Sequence, residues 1–100
     1  MKKNIFFLEE LFQTIQKKAK SKDSKSYTKK LLKSGKNIIA QKISEESTEL
    51  IIDYLNGSKK RTIEEASDLI YHLLVLLHSK KIVLDDIKKE LKRRQNVRRK

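Results

Sequence analysis

Apolar residues recur at three- and four-residue intervals along most of the chain, and the points where that rhythm stops mark out successive helices. Between about Asn4 and Lys20, Ile5, Leu8, Leu11, Phe12 and Ile15 fall at helical spacing, and Asn4 is available as an N-cap. Residues 21–26 carry Ser, Lys and Asp without periodicity and read as a solvated loop. Ser26-Tyr27-Thr28 then opens a short element, Lys29 to Ser34, of about two helical turns, with Ser26 or Thr28 as its cap. Leu31 and Leu32 give it an apolar patch, and Gly35 can end it in the left-handed conformation that other residues avoid. The next helix spans about Lys36 to Asn56, with Ile39, Ile43, Leu50, Ile51, Tyr54 and Leu55 on its apolar side and Gly57 as its stop.

Ser58 to Arg61 reads as a basic connector, and Thr62-Ile63-Glu64-Glu65 has the form of a capping box that starts a fourth helix ending near Ser79. Beyond Asp68 that helix is apolar nearly all round, through Leu69, Ile70, Leu73, Leu74, Val75, Leu76 and Leu77. It therefore needs neighbours on several sides, some of them from a second chain. A last helix begins near Asp85, where Asp85 and Asp86 suit the positive end of the helix and Lys92, Arg93 and Arg94 the other.

Composition narrows the class. Proline is absent and glycine occurs only at Gly35 and Gly57, so the expected fold is all-α, four to five helices in a bundle completed by homodimerisation. One hundred residues make one small domain, read as residues 1–94 followed by a basic tail, 95–100. Without cysteine any metal must be held by oxygen or imidazole, which favours Mg2+ or Mn2+. No apolar run approaches the roughly 20 residues that cross a bilayer. The expectation is a soluble, cytoplasmic protein with no membrane partner.

The net charge of +12 calls for an anionic partner, and its distribution is uneven. Residues 17–36 hold nine Lys against Asp23, and residues 88–100 hold eight Lys or Arg against Glu90. Seven of the thirteen acids nevertheless fall between Glu45 and Asp68. They form two motifs, Glu45-Glu46-x-x-Glu49 and Glu65-x-x-Asp68, each with carboxylates one turn apart on one side of a helix. Lys42, Glu46, Glu49 and Asp53 share one arc, Arg61, Glu65, Asp68 and His72 another, and both arcs border the apolar side.

Carboxylates at the edge of a core are partly desolvated and repel one another unless a cation joins them. Four of them suit the oxygen shell of magnesium. The plainer reading is surface charge paired with Lys42 or Arg61, with Glu65 closing the capping box. Two matching rows on consecutive helices of a basic chain favour the metal.

Ser26-Tyr27-Thr28, Leu31-Leu32, Lys36, Ile39-Ala40-Gln41-Lys42 and both acidic motifs, the second continued as Asp68-Leu69-x-Tyr71-His72, together resemble the phosphoribosyl-ATP pyrophosphatase family of histidine biosynthesis. That family lies within the all-α nucleotide pyrophosphohydrolase (MazG-like) superfamily, and the similarity covers about Ile5 to Arg94. Val83 departs from the pattern, standing where many relatives place a Ser or Thr cap.

The resemblance implies magnesium-dependent hydrolysis of phosphoribosyl-ATP to phosphoribosyl-AMP and pyrophosphate, often in homodimers or larger assemblies. It implies Glu46, Glu49, Glu65 and Asp68 as metal ligands, with Glu45 beside them or, with Glu46, orienting the attacking water. Tyr27 and Thr28 are implied to approach the base or ribose. Lys42, one turn before Glu46, and Lys36 are candidate phosphate contacts. His72 either touches substrate or is a satisfied core residue. A dNTP pyrophosphatase of the same superfamily is the nearest alternative. A basic nucleic-acid-binding protein is a more distant and disfavoured one, because it leaves the clustered acids unexplained.

Overall fold

The computed structural model describes residues 2–23 and 25–98, which form five α-helices. They are α1 (Lys2–Lys20), α2 (Tyr27–Ser34), α3 (Lys36–Asn56), α4 (Lys59–Ser79) and α5 (Leu84–Arg98). Among the described residues there is no strand, as the composition requires. Asn4 stands inside α1 rather than at its cap, and the side chains of Asn4 and Ile5 lie outside the described ones. So do Ser24 of the expected loop and residues 99–100 of the expected tail. The part of that tail which is described continues α5 to Arg98.

Caps explain most boundaries. Ser26 accepts the Lys29 N–H and opens α2. Gly35 closes it at φ 97°, ψ 168°, a region essentially reserved for glycine, and no atom lies within 4 Å of where a Cβ would be. Its freedom is conformational rather than a matter of space. The start of α4 corrects the expected capping box: Ser58 is the cap, accepting the Arg61 N–H, and the helix begins at Lys59. The Thr62 hydroxyl instead donates to the Ser58 and Asp53 carbonyls. The second of these bonds ties the two long helices together. At the other end of α4, Lys81 adopts φ 63° while Ile82 N–H reaches back to the Leu77 carbonyl and Lys81 N–H to that of His78. This is a Schellman stop made without glycine. Asp86 accepts the Val83 N–H ahead of α5, the half of a capping box that needs no hydroxyl at Val83.

α3 and α4 pack antiparallel: Asp53 near the end of one meets Arg61 and Thr62 at the start of the other, and α1 and α2 cover the pair. The core is Phe12 and Ile15 of α1, Leu31 of α2, Ile39 of α3, and Leu74, Val75 and Leu77 of α4. Those α4 residues point in different directions and are all buried, because the second half of α4 is enclosed by α1, α2 and α3. The apolar side expected for α3 is only half used. Ile39 is buried, whereas Ile51, Ile52, Tyr54 and Leu55 are exposed, as are Ile63, Ile70 and Leu73 of α4. No helix among the described residues is long and apolar enough to cross a membrane.

Candidate active site

Antiparallel packing sets the first acidic row against the second. Glu46 and Glu49 of α3 and Glu65 of α4 bring one carboxylate oxygen each to within 4.8 Å of one another. Glu46 and Glu65 are buried, and each keeps one oxygen, Oε1, without a hydrogen-bond partner. A buried carboxylate oxygen left unpaired is costly. A divalent cation would satisfy both, so this all-oxygen donor set fits a hard metal ion.

Arg61 supplies a positive charge at the edge of this group. Its guanidinium donates to Glu65 Oε2 at 2.8 Å and to Glu64 Oε1 at 2.7 Å, and lies 3.8 Å from Asp53 Oδ2. It thereby spans α3 and α4 at the edge of the group. Even so, Glu65 is pushed above the ordinary carboxylate range, first by burial and then by the neighbouring carboxylate of Glu49, against the pull of Arg61. Asp68 adds a smaller push in the same direction.

A carboxyl group whose folded pKa is raised stabilises the fold fully below its unfolded value, near about 4.3, and loses that contribution as pH rises through the folded value. At neutral pH without metal, ionised Glu65 is therefore a cost. Glu65→Gln is expected to raise the metal-free unfolding midpoint by a few degrees at pH 7, with the difference vanishing toward pH 4. Mg2+ should raise the midpoint of the wild type and not of the variant. Equal stabilisation of both proteins by Mg2+ would take Glu65 out of the site.

Three of the four expected ligands thus come together, while Asp68 is exposed and stands outside the three-carboxylate group, one turn further along α4. Glu45 points away from it, accepting from Gln41 Nε2 at 3.0 Å with Lys42 Nζ 4.0 Å away. Lys42 is half-buried and about 6 Å along α3 from Glu46. Lys36 is about 15 Å from Glu46 along the same axis, in a shallow recess with Ser79 and Lys80. Tyr27 is half-exposed beside His72, whereas Thr28 and His72 are buried and hydrogen-bonded within the protein.

The pairing of Arg61 with the acids of α4 is the plainer reading of the sequence, whereas its reach to Asp53 of α3 and the partner role of Tyr71 were not expected. The signal for the pairing is local, since Arg61 precedes Glu64 by three residues and Glu65 by four.

Residues 8–95 match the model of the phosphoribosyl-ATP pyrophosphohydrolase family. The chain is 47% identical over 87 residues to a phosphoribosyl-ATP pyrophosphatase of Sulfolobus acidocaldarius, covering 87% of this chain and 92% of the relative. A protein of the same name from Metallosphaera sedula is 42% identical, with 87% and 94% covered. A histidine biosynthesis bifunctional protein of Bacteroides thetaiotaomicron is 42% identical over 92 residues, which are 92% of this chain but 45% of that longer protein.

Proposed function

Because the chain belongs to the phosphoribosyl-ATP pyrophosphohydrolase family, we propose that it hydrolyses phosphoribosyl-ATP to phosphoribosyl-AMP and pyrophosphate, a step of histidine biosynthesis, using Mg2+. The observation that carries this reading is the three-carboxylate group with its two buried, unpaired oxygens, inside the matched region. In the reaction water adds at the α-phosphorus, the α,β-anhydride bond breaks, and pyrophosphate leaves. When bound, a divalent cation supplies charge neutralisation for the triphosphate and activation of water.

The protein's own part is positioning and charge, which dominate phosphoryl transfer. Glu46, Glu49 and Glu65 hold the cation, with Asp68 at the open side. Glu46 is shielded at the core's edge and aligned by α3, while Glu45, bonded to Gln41 and 4.0 Å from Lys42, lies outside the group and acts only from its periphery. Lys42 offers a cation to the phosphates next to the carboxylates. Lys36, further along α3, suits only the phosphate on the far ribose of an extended substrate. The half-exposed ring of Tyr27 provides a surface for the base or ribose.

The exposed apolar face of α3 and α4 belongs, in this reading, to a contact with a second copy of the chain. Turnover is tested by magnesium-dependent release of pyrophosphate from phosphoribosyl-ATP. Release of orthophosphate in its place, or no release, would remove the proposed reaction.

A further inference from the structure

Two adjacent residues at the start of α2 are tied to two adjacent residues of α4. Tyr27 Oη lies 2.7 Å from His72 Nε2, and Thr28 Oγ1 is hydrogen-bonded to Tyr71 Oη. The His72 ring also meets the rings of Tyr27 and Tyr71 edge-on, with centroids 5.7 and 5.8 Å away.

The second imidazole nitrogen fixes the direction of the first bond. His72 Nδ1 is 2.8 Å from the Asp68 carbonyl, which can only accept, so Nδ1 carries the proton. In the neutral ring Nε2 is then the acceptor and the Tyr27 hydroxyl the donor. Both nitrogens are engaged inside the protein. His72 is 7% exposed and Thr28 1%, whereas Tyr27 is 50% exposed. Of these three, only Tyr27 presents a substantial surface to a ligand.

An eight-residue helix does not hold its own position in water. α2 buries only Thr28 and Leu31, so the pair of bonds to α4 is a large part of what locates its first turn. His72 follows Glu65 by seven residues on α4, which puts the Tyr27 hydroxyl about 10 Å along the axis from the carboxylate group. That is the reach of a nucleoside whose phosphates sit at the carboxylates.

We propose that Tyr71 and His72 are positioning residues: they latch the first turn of α2 to α4 and so hold the Tyr27 ring as a fixed wall beside the acidic group. This rests on the proposed binding of a nucleotide there, and it removes His72 and Thr28 from direct contact with substrate.

Tyr27→Phe keeps the ring and loses the hydroxyl, and His72→Phe keeps the packing and loses both nitrogens. Each is expected to raise KM for phosphoribosyl-ATP about threefold to tenfold, the worth of one neutral hydrogen bond, with kcat changed by less than about twofold. Calorimetric affinity for Mn2+ should be unchanged. Because both substitutions cut the same bond, the double variant should be no worse than the poorer single. Tyr71→Phe, which cuts the neighbouring bond, should shift KM in the same direction.

Nitrogen-15 spectra provide a readout that does not need turnover: His72 should be the Nδ1-protonated tautomer, and its Nε2 resonance should move in Tyr27→Phe. An Nε2-protonated ring would overturn the latch. So would a KM unmoved in both singles, or a double variant whose KM is raised by the product of the two single effects, which would mark His72 as an independent substrate contact. If the wild type fails to turn over phosphoribosyl-ATP, the substrate is wrong, and the tautomer still decides the latch.

Discussion

Glu49→Ala is expected to lower magnesium-dependent pyrophosphate release by about a hundredfold to a thousandfold, the equivalent of several kcal/mol of lost metal-assisted charge stabilisation. Its helical circular dichroism should not change. Glu49 is the exposed member of the three-carboxylate group, so truncation opens no cavity in the core. It is also the neighbouring carboxylate that pushes Glu65 upward, so removing it relieves repulsion in the metal-free protein. Activity and stability are therefore expected to move in opposite directions, an outcome that general damage to the fold does not produce. Wild-type turnover in the variant would exclude Glu49 from the metal site.

The second large effect concerns association. A charge placed in the middle of an apolar contact is left desolvated and unpaired, which weakens binding by several kcal/mol. Ile52 is 55% exposed on α3, where the exposed Ile51 and Leu55 flank it on the helix surface. Ile52→Glu is expected to weaken self-association by about a hundredfold or more, shifting sedimentation from a dimer toward the 11.8 kDa chain, with monomer helicity retained. A wild-type protein that sediments as a monomer at all accessible concentrations would dispose of the second copy.

Much of the fold was legible because its signals are local. Gly35 and Ser26 mark helix ends through their own backbone and hydroxyl chemistry, and α3 has the bounds that its sequence predicts. The start of α4 was not legible, because two hydroxyl residues compete for the cap. The capping-box form of Thr62-Ile63-Glu64-Glu65 pointed to Thr62, and nothing local in Ser58 to Arg61 outweighs it. The contest is decided by α3: Asp53 supplies a carboxylate to Arg61 and a carbonyl to Thr62. The Schellman stop at Lys81 was hidden for the opposite reason, since a lysine there carries no sign of a positive φ.

The candidate site divides along the same line. Three-residue spacing, which is intrinsic to a helix, puts Glu46 and Glu49 on one side of α3, whereas the meeting of Glu65 with them follows from the antiparallel packing of α3 and α4. Burial depends on which neighbour covers a residue, and the sequence does not contain that. The helical wheel therefore treats Glu65 and Asp68 alike, whereas the packing buries one and exposes the other. It likewise groups Ile39 with Ile51 and Leu55, although only Ile39 is covered. The latch between α2 and α4 joins residues more than forty positions apart, at 27 with 72 and 28 with 71, so no local pattern announces it.

Cleavage of phosphoribosyl-ATP in particular is what separates the proposed activity from general nucleotide hydrolysis. Its most direct test compares kcat/KM for pyrophosphate release from phosphoribosyl-ATP, ATP and the four dNTPs with Mg2+, each repeated with chelator. Rapid release is expected from phosphoribosyl-ATP, release at least about a hundredfold less efficient from the others because their missing phosphoribosyl group forfeits several contacts, and none with chelator. Equal efficiency on ordinary dNTPs, or no release from phosphoribosyl-ATP, would contradict the proposed activity.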